Sequence, residues 1–203
     1  MQRLNGTAVS LILMALVGLA APAVTAASLP AFDRVRIVKP PKPIEDFTLT
    51  DQTGQPFQFS SLRGRPALVA FGFTNCPDVC PMIMGNLKNL MSAHGEELDG
   101  VQVVLISVDG ERDTPEAMRD FLAFFSPDFL GLTGDPALVR QIAGRFPAVF
   151  FKEAPAPGAT TYNVTHTIQV FALDADGRVR AEFYNASLDA MAAVSRVLLD
   201  ESR

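Results

Sequence analysis

Cysteine occurs only twice in this chain of 203 residues, at Cys76 and Cys80, and histidine only twice, at His94 and His166. Two cysteines four positions apart exclude a disulfide framework. A bridge closing so short a loop removes little entropy from the unfolded chain, so the pair calls for a chemical explanation rather than a stabilising one. Charge is sparse as well: 19% of residues are charged, the net charge is −5, and no run of like charges stands out. That balance lacks the basic footprint of a nucleic-acid binder. A Gly-rich phosphate loop is missing, which removes the usual nucleotide sites. Internal repeats and low-complexity tracts are absent. What remains is a chain that is 48% apolar, long enough for one sizeable core and short for two full domains.

The first residues carry Arg3 as their only charge, and Ala8 to Ala20 is an apolar run containing Leu11, Ile12, Leu13, Leu16 and Leu19. Small residues follow at Ala23, Ala26 and Ala27, in the manner of a signal-peptidase site, and the run is shorter than the ~20 residues that usually span a bilayer. Residues 1–27 are therefore expected to be a cleaved export signal, with an uncleaved N-terminal membrane anchor as the alternative. Either route places the domain outside the cytoplasm, in the periplasm or on the extracytoplasmic face of a membrane. Residues 28–42 contain Pro30, Pro40 and Pro41 with scattered charges and are expected to be an extended linker. Residues 43–203 form the domain.

Within that domain the segments Phe47 to Thr50 and Phe57 to Phe59 flank Asp51-Gln52-Thr53-Gly54, a turn composition, and predict a β-hairpin. Ala67 to Phe73 reads as a strand buried on both faces, ending at the cysteine segment. Pro81 suits the first turn of a helix that runs from about Cys80 toward His94. A second buried strand, Val101 to Val108, leads through Asp113-Thr114-Pro115-Glu116, a helix-start signature, to Met118, Phe121, Leu122 and Phe125 at helical spacing. A shorter helix from Pro136 to Phe146, strands at Ala148 to Phe151, Thr167 to Leu173 and Val179 to Phe183, and a helix from Leu188 to Leu199 complete the chain. This order predicts an α/β fold: a thioredoxin-like three-layer sandwich with a central mixed sheet and an N-terminal β-hairpin.

The segment Phe71-Gly72-Phe73-Thr74-Asn75-Cys76-Pro77-Asp78-Val79-Cys80-Pro81 puts two thiols at a helix N-terminus, where free backbone N–H groups and the macrodipole stabilise thiolates. Such a pair serves disulfide exchange or binds a soft metal. Three residues separate the cysteines, against the two of the usual exchange motif, which favours a metal between the sulfurs. His166 stands at the start of the strand leading to Leu173, whose N-terminal end faces the cysteine loop in a thioredoxin-type sheet. Two thiolates and one imidazole suit Cu(I) and Cu(II), whereas a closed zinc site takes four protein ligands. One copper per chain, held by Cys76, Cys80 and His166, is the expectation. Met82, Met84, Met91 and Met118 are expected to fill the core, His94 to end its helix, and Asp113 and Glu116 to cap theirs, while Asp78, between the cysteines, reads equally as an acid that tunes the thiols or contacts a partner and as a solvated turn acid.

These motifs resemble the Sco/SenC family. Phe71 to Pro81 is similar to that family's copper motif, Ser107-Val108-Asp109-Gly110-Glu111-Arg112-Asp113-Thr114-Pro115-Glu116 to its next signature block, and His166 falls where its ligand histidine is found. The resemblance implies a thioredoxin-fold metallochaperone that delivers copper to the binuclear copper centre of cytochrome c oxidase. Its partner would be the copper-site subunit of that oxidase or another copper chaperone. Two positions depart from the pattern: Thr165 stands where an acid commonly precedes the histidine, and Gly110 where proline is usual. Neither removes a ligand. The competing reading is a thiol-disulfide oxidoreductase, which needs Cys76 and Cys80 alone. A peroxidase of the peroxiredoxin type would want threonine three positions before its cysteine, and Thr74 precedes Cys76 by two.

Overall fold

A computed structural model describes residues 29–155 and 161–203; the segment read as an export signal, residues 1–27, lies outside them. The strands are β1 (Val35–Pro43), β2 (Thr48–Asp51), β3 (Pro56–Gln58), β4 (Ala67–Gly72), β5 (Gln102–Ser107), β6 (Leu130–Thr133), β7 (Phe150–Lys152), β8 (Val164–His166), β9 (Val170–Leu173) and β10 (Arg178–Phe183). Four α-helices join them: α1 (Val79–His94) between β4 and β5, α2 (Pro115–Ala123) between β5 and β6, α3 (Pro136–Arg145) between β6 and β7, and α4 (Leu188–Asp200) at the end.

Eight strands form one mixed sheet in the order β1-β10-β9-β4-β5-β6-β2-β3, while β7 and β8 pair only with each other. The parallel pairs are β4–β5 and β5–β6. Alternation along the central strands divides the core in two. Val69, Phe71, Val104 and Ile106 face Val139, Ile142 and Phe146 of the α3 segment. Leu68, Ala70, Val103 and Leu105 face Met84 and Leu87 of α1, Met118 and Leu122 of α2, and Val194 and Leu198 of α4. Period-two side chains on strands buried on both faces, covered by helices on each, make the three-layer α/β sandwich expected of the sequence. The hairpin is present as well, with Leu49 opposite Phe57. Among the described residues, no helix is long and apolar enough to cross a membrane.

Two expectations need correction. The proline-rich stretch read as a linker is extended, but much of it is strand: β1 pairs antiparallel with β10, Val35 opposite Phe183 and Lys42 opposite Val179. Proline is tolerated there because β1 lies at the sheet edge and because Pro40 and Pro41 fall in the irregularity between Ile37 and Lys42, where the ladder is interrupted. Leu29 is also buried in the core. The strand expected over Thr167 to Leu173 is shortened to Val170–Leu173, which pairs with β4 and β10, and His166, expected at its start, lies instead on the separate strand Val164–His166, which pairs with β7.

Candidate metal centre

The site forms at the C-terminal end of β4, where the chain leaves the sheet, turns through Cys76 and enters α1. Cys80 is the second residue of that helix, so its sulfur packs back onto the strand. A Cβ on Gly72 would lie 2.9 Å from Cys80 Sγ and 3.2 Å from Leu105 Cδ1. Glycine is therefore required at position 72 by the closeness of helix and strand. The Cys80 amide donates to Cys76 Sγ at 3.4 Å. Both cysteines are free and nearly enclosed, Cys76 at 9% exposure and Cys80 at 2%.

His166 reaches this pair from β8. Its Nε2 lies 3.2 Å from Cys80 Sγ, and its Nδ1 donates to the Thr167 carbonyl at 2.8 Å. That bond places the ring proton on Nδ1 and turns the Nε2 lone pair toward the sulfurs, which is how a second contact prepares an imidazole to ligate. The edge of Phe73 meets the imidazole with ring centroids 5.8 Å apart. Cys76 Sγ, Cys80 Sγ and a nitrogen of His166 all lie within 4.8 Å of one another. Bonds of about 2.0–2.3 Å from a metal to sulfur and nitrogen put ligand atoms up to about 4.6 Å apart, so this donor set needs at most a small closure to hold a single ion.

The two thiols are unequal. Burial opposes ionisation of Cys76, but the backbone N–H groups of Asp78 and Cys80, the Cys80 thiol and the Val79 N–H together outweigh it and hold the thiol below its ordinary value. Burial pushes Cys80 far up, and the neighbouring Cys76 and Asp113 add to this. Burial also lowers the His166 imidazole, against the opposing bond to Thr167. Cys76 is thus the more readily ionised of the two thiols, while at neutral pH Cys80 stays a thiol and His166 a neutral imidazole.

Asp113, expected as a helix cap, does something else. Thr114 is the N-cap of α2 and accepts from the Ala117 amide, while Asp113 is fully buried. Its carboxylate accepts from Thr74 N at 3.1 Å, Thr74 Oγ1 at 2.6 Å and Ser107 Oγ at 2.6 Å, tying the cysteine turn to the end of β5. Burial raises its pKa, and the Ser107 and Thr74 donors oppose the shift. Glu116 does lie in the first turn of α2. Asp78 precedes α1 and is exposed, with no side-chain capping bond.

The remaining candidates lie apart. Met84 and Met118 are fully buried in the α1/α2/α4 layer, Met91 packs against it, and Met82 is exposed. His94 ends α1, 3.8 Å from Glu97 Oε2 and from Asp189 Oδ1, roughly 20 Å along the helix from Cys80. The two departures from the expected pattern have local reasons. A Cβ at Gly110 would fall 1.9 Å from the Gly134 carbonyl oxygen, so no side chain fits there. Thr165 donates its hydroxyl to Glu153, so an acid meets the histidine strand from the neighbouring segment. Sequence reasoning missed Phe73, Asp109, Arg112 and Tyr162, which surround the site; only the clustering of Asp109, Arg112 and Asp113 in one short block signalled them.

The SCO1/SenC family model matches residues 38–198. The structure of Bradyrhizobium japonicum ScoI with copper bound is similar at a TM-score of 0.68 and 36% identity, covering 76% of this chain and 97% of that one. A SCO2-like protein of Rickettsia conorii is 31% identical over 139 residues, 68% of each chain. The mitochondrial protein SCO2 homolog of Mus musculus is 36% identical over 154 residues, 75% of this chain and 60% of that one.

Proposed function

The chain belongs to the SCO1/SenC family, and from that premise we propose that it is a copper-binding metallochaperone serving the binuclear copper site of cytochrome c oxidase. The carrying observation is the convergence of two cysteine sulfurs and one histidine nitrogen within 4.8 Å at the mouth of a thioredoxin-like sheet. Cys76, Cys80 and His166 are the ligands in this reading, and one copper ion per chain is the cargo. Soft thiolates suit Cu(I), and an added imidazole suits Cu(II). Cys76 is the thiol that ionises more readily, Cys80 gives up its proton as the ion arrives, and His166 offers Nε2 without losing a proton. Copper uptake therefore releases protons and weakens in acid. The copper-site subunit of the oxidase, or another copper chaperone, is the protein contact. Residues 1–27 act as the export signal or anchor that sets the domain on the extracytoplasmic face of a membrane.

The alternative, a thiol-disulfide oxidoreductase using Cys76 and Cys80, leaves His166 without a task although its Nε2 lies 3.2 Å from Cys80 Sγ. Anaerobic copper titration of the reduced protein separates the two. One retained copper per chain, with a thiolate-to-Cu(II) charge-transfer band that His166→Ala alters, supports the metallochaperone. Each cysteine substitution is expected to abolish stable binding, and His166→Ala to weaken Cu(II) more than Cu(I). No retained copper together with ready disulfide exchange rejects it.

A further inference from the structure

The histidine ligand rides on the part of the fold least anchored to the sheet. Among the described residues, β7 and β8 pair with each other and with no strand of the eight-stranded sheet. Burial in the core of Phe150, opposite His166, and of Val164, opposite Lys152, fixes both ends of the short ladder, and Arg140 Nη1 donates to the Phe150 carbonyl at 3.0 Å. Beyond the Val164 end a further anchor is Tyr162, four positions before His166. Its hydroxyl donates to Asp109 Oδ1 at 2.7 Å, and its carbonyl accepts from Arg112 Nη1 at 3.0 Å. Its ring lies between Arg112 Cζ at 3.8 Å and Lys152 Nζ at 3.7 Å. Arg112 is itself ion-paired to Asp109 and reaches the ring of Phe73, 5.7 Å away, the same ring that meets His166 edge-on. One residue further on, Asp113 holds Thr74. The five residues 109–113 thus grip both ligand-bearing segments, the cysteine turn through Asp113 and the histidine strand through Tyr162.

We propose that Tyr162, seated on Asp109 and Arg112, is a positioning residue that holds His166 over the cysteine pair and so sets whether copper is bound by three donors or by two thiolates alone. This inference rests on the copper reading above. The hydrogen bonds of Tyr162 go to Asp109, Glu111 and Arg112 and not to the sulfurs or the imidazole, so its effect passes through His166. Contacts that orient a ligand rather than supply one are typically worth about 10–100-fold in metal affinity. The loss here falls on Cu(II), which needs the imidazole, and spares Cu(I), which two thiolates satisfy.

The test is anaerobic titration of the full chain with Cu(I) and with Cu(II), on the wild type, Tyr162→Ala, His166→Ala and the double variant. Amide hydrogen exchange on the metal-free proteins accompanies it. Tyr162→Ala is expected to lower Cu(II) affinity about 10-fold or more and to move the charge-transfer band toward that of His166→Ala. Cu(I) affinity should stay within about 3-fold, and the double variant should match His166→Ala, as required of two residues acting as one unit. In the apo protein, exchange at the Glu153 and Thr167 amides, which bond Asn163 and Val149 across the hairpin, is expected to quicken. Unchanged Cu(II) binding in Tyr162→Ala overturns the inference, as does equal loss of both oxidation states or a further loss in the double variant. Should Tyr162→Ala fail to fold, Tyr162→Phe keeps the ring between its cations, removes only the hydroxyl's bonds to Asp109 and Glu111, and carries the same comparison at smaller amplitude. Absence of copper binding by the wild type rejects the copper reading itself, and this inference with it, before any variant is compared.

Discussion

Single side chains decide the state of this site before any metal arrives. His166 is the clearest case. Burial holds its imidazole below the ordinary histidine value of 6.5, so as pH falls the unfolded chain takes up this proton before the folded one does. The stability due to the neutral ring is complete above about pH 6.5 and drains away as pH drops toward the lower folded value. Urea unfolding of the apo protein at pH 7.5 and pH 5 is expected to show a larger acid loss in the wild type than in His166→Gln; an equal loss would contradict the assignment. Asp113 carries structure rather than ligation. Its carboxylate satisfies three donors from Thr74 and Ser107 in a fully buried setting, and removing it strands them. Asp113→Ala is expected to cost about 2–4 kcal/mol in chemical denaturation and to loosen the cysteine turn. A cost below about 1 kcal/mol would show that the turn is held from elsewhere. Sequence reasoning read this residue as a cap because Asp-Thr-Pro-Glu offers two candidate caps in a row. Only the packing shows that threonine takes the cap and aspartate turns inward.

At the scale of elements, the decisive contact is α1 against β4. The helix can present Cys80 at the sheet mouth because position 72 has no side chain. Gly72→Ala is expected to push the Cys80 sulfur or Leu105 aside, at a stability cost of about 1–3 kcal/mol, and to reduce copper affinity in direct titration; unaltered copper affinity would mean the sulfur has room to retreat. Strand β4, helix α1, strand β5, helices α2 and α3, strand β10 and helix α4 were all legible in the sequence. Each buries a full face or stripe, and that periodicity survives in one dimension. The elements that escaped depend on partners distant in sequence. Strand β1 hides behind Pro40 and Pro41, which composition assigns to a spacer, yet its backbone completes the edge of β10. Strands β8 and β9 look continuous because alternation persists across Thr167 to Gln169, and only their different partners part them. The cluster of Cys76, Cys80 and His166 was legible for the opposite reason: two cysteines and one well-placed histidine leave few combinations. Tyr162 and Arg112 were not, since their roles exist only where distant loops meet.

Taken as a whole, the molecule puts its chemistry at one edge of a rigid sandwich. A ligand that binds only the folded state stabilises it by mass action, by about 4 kcal/mol when free ligand stands at a thousand times its dissociation constant. Copper loading is therefore expected to raise Tm, and a chelator to return it to the apo value; an unmoved Tm under saturating copper would exclude a site built from folded-state geometry. The division of the donors between two bodies bears finally on how fast the cargo changes hands. Three ligands on one unyielding frame would have to let go in concert, and release would be slow however weak each bond. In the proposed copper site the two sulfurs would sit on the frame and the nitrogen on a three-residue ladder beside it, so the bonds could break in sequence. An incoming nucleophile needs only to wait for the first of them, and tight retention becomes compatible with rapid exchange.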